Sequence, residues 1–321
     1  MKRHVIALAL GLIALFGREA EAAYPDKPVR IIVPYAAGGT SDILARLVGA
    51  KLTERLGQQL IVENRSGAGG NIGTSAAAAS DPNGYTLLLG TINTHGINPS
   101  LYKDLTFDPV RDFAPITLIA FTPNVLSVHP LVNAKTLAEV IALAKAKPGA
   151  LSFGSTSPGG SPHMSGELLK MMTGIDITHV PYRGGGPMLN DLIGGNIPLA
   201  FDNLPSSIGQ IRAGAIRPIA VTSSKRWPTA PDIPTFAESG VDGYEVSAWF
   251  GLFAPSKTPP DIVTLLHKHI SEILQLPDIR ERLVGIGAEP VGNSPGEFAA
   301  LIAQEVEKWR KVVAATGAKI E

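Results

Sequence analysis

The stretch Val33-Pro34-Tyr35-Ala36-Ala37-Gly38-Gly39-Thr40-Ser41-Asp42 has the makings of an anion-holding turn. A mostly apolar run, Val29 to Val33, stops at a proline, and a glycine pair then opens onto Leu44, Leu47, Val48 and Leu52 at helical spacing. Thr40, Ser41 and Asp42 supply helix-start chemistry. A strand that hands its backbone to a helix in this way leaves N–H groups unpaired and a partial positive charge facing outward, so an anion can be held without a lysine. The chain writes nearly the same phrase again as Val180-Pro181-Tyr182-Arg183-Gly184-Gly185-Gly186, before Met188, Leu189, Leu192 and Ile193. A third version runs from Leu151-Ser152-Phe153-Gly154 through Ser155-Thr156-Ser157-Pro158-Gly159-Gly160-Ser161 into a helix from about Pro162. Three strand–glycine loop–helix units imply loops that converge on one cleft.

Catalytic constellations are missing. There are no cysteines, which removes disulfides, thiolate metal sites and cysteine nucleophiles together. Gly154-Ser155-Thr156-Ser157-Pro158-Gly159 has the wrong spacing for a nucleophile elbow, and no Walker lysine motif occurs. Gly67-Ala68-Gly69-Gly70-Asn71-Ile72-Gly73 misses the dinucleotide fingerprint because Ile72 stands where its last glycine should be. His267 and His269 are two apart on an expected helix and face different ways. His163 and His179 have no carboxylate or histidine nearby at ligand spacing; His163, in the first turn after the serine loop, is as readily a packing or capping residue as an anion contact. Asp202, a lone carboxylate at a strand end, suits loop positioning at least as well as holding a ligand amine. Trp249 and Phe250 read as core, with one of them a candidate to line the cleft. No nucleophile, base and orienter come together, so neither catalysis nor a cofactor or metal is expected.

The elements that must position these loops follow from composition and periodicity. A chain of 321 residues, 45% hydrophobic, is long enough for two domains. Its 28 basic and 28 acidic residues cancel, and no basic stripe argues for nucleic acid as a partner. Lys2-Arg3, an apolar run from Val5 to Phe16 and Ala20-Glu21-Ala22 read as a secretory signal peptide over 1–22, cleaved after Ala22 or Ala23. The run is short of the roughly 20 residues a membrane span needs. No cysteine marks a lipoprotein. The mature chain is expected to be exported and soluble.

Strands are expected at Gln59 to Asn64, Tyr85 to Leu89, 151–154, Ile197 to Phe201 and Arg217 to Val221. Helices are expected through Ala79, over Leu137 to Lys147, Pro260 to Leu274, Asp278 to Gly285 and Pro295 to Ala315. Gly90 to His95 reads as a polar loop. Ile116 to His129 reads as extended, broken at Thr122-Pro123-Asn124, and as a crossing into a second domain, with Val246 to Ala254 the return. The β–α–β spacing predicts mostly parallel sheets with ligands beyond the strands' carboxyl ends.

With these residues in view, the chain closely resembles the periplasmic substrate-binding proteins of the tripartite tricarboxylate transporter group, the Bug family. The matching segments are 33–42, 62–70, 84–88, 154–166, 180–193, Phe201-Asp202-Asn203 and Trp249-Phe250-Gly251-Leu252, which together span essentially the whole mature chain. One departure is Pro198 at the start of a strand. The resemblance implies an α/β, two-lobed periplasmic binding protein of the Venus flytrap, type II-like kind. Each lobe would be a mostly parallel sheet flanked by helices, with two hinge crossings; lobe 1 would take 23–121 plus 249–321 and lobe 2 122–248. It implies a monomer that holds a small carboxylate or amino-acid-like ligand and delivers it to integral-membrane permease subunits. Carried onto this sequence, the ligand contacts fall at Tyr35, Ala36, Ala37, Gly38, Gly39, Thr40 and Asn93 in the first lobe, and at Thr156, Ser157, Gly160, Ser161, His163 and Asp202 in the second. Arg183 is the one obvious cation on the loops, which favours a mono- or dicarboxylate, an amino acid or an aromatic acid over a tricarboxylate. The alternatives are a periplasmic sensor that feeds a signalling kinase and an exported α/β enzyme.

Overall fold

The computed structural model describes residues 24–316, so the signal-peptide reading lies outside the described residues. In the first lobe, parallel strands β1 (Val29–Val33), β2 (Leu60–Asn64) and β3 (Thr86–Thr91) carry helices α1 (Thr40–Leu56) and α2 (Asn71–Ala78) between them. In the second, β5 (Ser152–Ser155), β6 (Thr178–Pro181) and β7 (Leu199–Asn203) are parallel, joined through α5 (Ser161–Thr173) and α6 (Gly185–Ile193). Helix α3 (Asn98–Leu101) follows β3, and α4 (Leu137–Ala146) opens the second lobe with a capping box between Thr136 and Glu139. Helix α7 (Leu204–Arg212) leaves β7 directly and leads to β8 (Arg217–Val221).

Two long strands tie the lobes together. Strand β4 (Phe113–Val128) pairs with β9 (Ser247–Pro255) from Phe113 to Pro123, then with β7 and β8 from Asn124 or Val125 onward. The expected break at Thr122-Pro123-Asn124 is therefore a change of partners within one 16-residue strand. A proline without an N–H is tolerated at that point because the ladder is being handed over. Gly90 to His95 also departs from the expected loop. The strand runs on to Thr91, and Asn93–Ile97 is a single π-helical turn continued by α3. Thr94 closes that turn by bonding both the N–H and the carbonyl of Thr91.

After β9 the chain returns to lobe 1 as α8 (Pro260–Gln275), α9 (Pro277–Gly285), the short β10 (Glu289–Pro290) against β4, and α10 (Pro295–Thr316). Ser294 and Glu297 cap α10 reciprocally. Its Phe298 is fully buried, edge-on to Trp249 at 5.5 Å and tilted against Phe253 at 4.9 Å. The second lobe has its own aromatic core, in which Phe153, Phe201, Phe236 and Tyr244 stack or meet edge-on. No helix among the described residues is long and apolar enough to cross a membrane.

Candidate ligand-binding cleft

Three helices begin at the seam between the lobes, and each has glycine as its N-cap: Gly39 for α1, Gly160 for α5 and Gly184 for α6. None of these caps makes a side-chain hydrogen bond. A serine or aspartate there would satisfy the first-turn N–H groups from within. Glycine leaves them turned toward the seam, where their partial positive charges add. The first loop is braced from outside instead. Asp42 accepts from the Gly38 N–H at 3.1 Å, and Asn64 donates to the Tyr35 carbonyl at 3.0 Å.

An inner chamber of about 20 Å³ lies among these helix starts, roughly the room one water-sized group needs. Tyr35, Gly39, Thr40, Asn93, Thr156 and Ser161 line it, all of them expected from sequence. Ser41, Thr91, Gly184, Gly185, Asn203, Ala248 and Phe250 line it too. Of these, the sequence names only Phe250 as an individual candidate to line the cleft, while Ser41, Gly184 and Gly185 belong to the loops it expects to converge there. None of the described residues that line this chamber is charged, so its field comes from backbone and hydroxyl dipoles. The Tyr35 hydroxyl sits 3.0 Å from Thr91 Oγ1, and burial pushes its pKa up, so it remains a donor. An outer chamber of about 220 Å³ shares Tyr35 and adds the 67–70 loop, Ser157, Pro158, Pro181, Tyr182 and Arg183.

The lobes meet across the seam. The Ala36 N–H donates to the Arg183 carbonyl at 2.9 Å. Asn93 makes two bonds across the seam, donating to Ser157 Oγ and accepting from the Ser161 N–H, both at 3.0 Å. Thr40 donates to Ser206 Oγ at 3.2 Å. The two similar loops, 35–39 and 182–186, thus face one another and shut the cleft. Ala36, Ala37 and Gly38 belong to this contact and do not line the inner chamber. Gly160 stays bare because a Cβ there would come within 2.5 Å of Ser157 Oγ and 2.7 Å of Asn93 Nδ2.

His163 and Asp202 lie behind the chambers. The Gly159 N–H donates to His163 Nδ1 at 2.9 Å, and the His163 ring stacks on His179 at 3.7 Å between centroids. Glu167, one turn along α5, is 3.7 Å from His163 Nε2. The sequence reading that gave these histidines no neighbours is corrected here: helical spacing brings the carboxylate, and pairing of β5 with β6 brings the second ring. His179 Nε2 is 2.7 Å from Ser155 Oγ, so the pair braces the serine loop from the rear. Asp202 accepts from the Asn203 N–H and from the Ser206 and Ser207 hydroxyls at 2.6–2.8 Å, all in the first turn of α7. It anchors that helix, and burial pushes its carboxyl up to about 6 against those hydrogen bonds.

These groups give stability a definite pH dependence. Burial lowers His95 to about 3; it lowers His179 to about 3 with help from His163 and Lys170; and it lowers His163 against the pull of Glu167. A histidine depressed on folding contributes stability that is full above its unfolded value of about 6.5 and is lost as pH falls toward the folded value. Asp202, raised on folding, acts oppositely, its contribution fading as pH rises through about 6. With three histidines against one carboxyl, the unfolding midpoint should drop between pH 6.5 and 4. The His179→Gln protein should drop less steeply over the same range. Parallel slopes in a thermal scan at stepped pH would remove His179 from the acid transition.

Comparison with known proteins agrees with this fold. A family model described as "Tripartite tricarboxylate transporter family receptor" matches residues 44–318. Protein BugT of Bordetella pertussis is 36% identical over 318 residues, covering 99% of this chain and 98% of BugT. An R. palustris protein solved with adipate superposes with a TM-score of 0.90 at 42% identity, covering 92% of this chain and 100% of that one. MatC from Rhodopseudomonas palustris, solved with bound malate, gives 0.86 at 34%, covering 90% and 100%.

Proposed function

Because the chain belongs to the tripartite tricarboxylate transporter receptor family, we propose that it captures a small carboxylate in the periplasm and presents it to the membrane subunits of a transporter. The observation that carries this reading is the convergence of three glycine-capped helix starts on one uncharged chamber. A carboxylate head there meets N–H and hydroxyl donors without a fixed counter-charge, and helix ends favour it by roughly 0.3–1 kcal/mol each, more where water is excluded. Residues Tyr35, Gly39, Thr40, Asn93, Thr156 and Ser161 are its contacts in this reading, with hinges at 122–124 and 246–247 where the strands pass between lobes. The adipate and malate held by the related structures support the ligand class.

Ligand that touches both lobes selects the closed state, and a permease that reads the closed surface then distinguishes loaded from empty receptor. A thermal-shift screen of the purified protein against carboxylates tests the first step. At a hundred times its dissociation constant a ligand adds about 2.7 kcal/mol, which raises the midpoint by several degrees. At least one carboxylate is expected to do so, with calorimetry giving one site per chain. Silence across mono-, di- and amino acids would overturn the reading.

A further inference from the structure

We infer that Arg183 sets the preference of this cleft for dicarboxylates, by engaging the second acid group of a ligand whose first is held in the inner chamber; this rests on the carboxylate reading above. The two chambers adjoin. Tyr35 borders both, while Thr156 and Gly184 border the inner one and their chain neighbours Ser157 and Arg183 the outer one. The inner chamber has room for one small head group and no charge of its own. The rest of any ligand must extend outward, past Tyr35, into the outer chamber of about 220 Å³.

Among the described residues, Arg183 is the only charged one lining that outer chamber. Its backbone is pinned at the mouth, because its carbonyl accepts the Ala36 N–H from the opposite lobe. Its guanidinium has no carboxylate within ion-pair distance among the described residues. The other nearby arginines are committed: Arg46 to Asp42, Arg65 to Glu63. Tyr182 beside it is likewise engaged, donating to Asp191 at 2.7 Å. An unpaired planar fork of donors at fixed root position matches one carboxylate. An ammonium in the outer chamber would be repelled, and a third carboxylate would find no partner. Arg183 is exposed, so its contribution is screened by salt.

Calorimetry with chain-matched acids tests this directly: succinate with butyrate, glutarate with pentanoate, adipate with hexanoate. The parent protein should bind its best diacid at least about tenfold tighter than the matched monoacid, as a charge-assisted contact allows. Arg183→Gln should shrink that ratio about tenfold, Arg183→Lys should restore part of it, and raised salt should shrink it in the parent alone. An unchanged ratio in Arg183→Gln, or equal binding of mono- and diacids by the parent, overturns the inference while leaving carboxylate binding in place. If the parent binds neither kind of acid, the carboxylate reading itself falls, and this inference with it.

Discussion

Replacing Gly186 by alanine is expected to weaken ligand binding by about a hundredfold while leaving the protein at least as stable as its parent. A Cβ on Gly186 would sit 2.4 Å from the carbonyl oxygen of Ala37, which belongs to the opposite lobe. Backbone cannot swing aside as a side-chain tip can, so the lobes must part. Parting them strains the Ala36–Arg183 bond and the two bonds through Asn93, each worth about 0.5–1.5 kcal/mol net. Losing about 3 kcal/mol from the closed state alone lowers apparent affinity by about a hundredfold, since every 1.4 kcal/mol is tenfold. In the open state the new methyl is harmless. It lies in the first turn of α6, where alanine is favoured over glycine by up to about 1 kcal/mol.

The opposed signs make the prediction sharp. Calorimetric affinity and the ligand-free unfolding midpoint, measured on the same preparation, should move in opposite directions. Parent-like affinity in Gly186→Ala would show that the lobes bind ligand without this contact. Gly39→Val probes the facing loop. A Cβ there would lie 3.1 Å from the Gly185 N, tight but tolerable, so the added branches of valine are needed to block closure. Loss of binding with the fold retained is the expected outcome there too.

Phe298→Ala is expected to have the largest effect on stability, a loss of about 3–5 kcal/mol. The Phe298 ring is fully buried where α10 crosses β9, against Trp249 and Phe253. It also fills the space beside Gly251: a Cβ on that glycine would meet Phe298 Cζ at 2.1 Å. Gly251→Ala alone should therefore destabilise by overpacking, by about 1–3 kcal/mol. Placed together, the two changes should cost less than their sum, because the new methyl enters the cavity left by the ring. Denaturant unfolding of the four proteins in this cycle measures the coupling. Strict additivity would show that ring and glycine do not share that space.

Gly251 and Gly186 also mark how far the chain could be read without its structure. Glycine's presence was plain in Trp249-Phe250-Gly251-Leu252 and in Gly184-Gly185-Gly186, but what each makes room for was not. The requirement comes from Phe298 and Ala37, both distant in the chain. The strand–glycine–helix units themselves were legible because turn residues, cap residues and helical spacing act within a few positions of one another. For that reason β1, β8 and the long C-terminal helix lie within a residue or two of their expected places.

Two local readings failed where a distant partner overruled local chemistry. Pro123 looked like a strand break, yet β9 on one side and β7 and β8 on the other keep the backbone extended through it. Asn93 sat in what looked like a polar loop, yet a π-helical turn aims its side chain across the seam at Ser157 and Ser161. By itself the sequence determined a repeated strand–glycine–helix turn and an α/β plan, since these rest on short-range pattern, and it carried the motifs whose resemblance pointed to the family. Only the tertiary structure decided which loops touch, that His163 and His179 stack behind the site, and that Arg183 stands at its mouth. Those are contacts between residues brought together by strand pairing and lobe closure, and no local propensity specifies them.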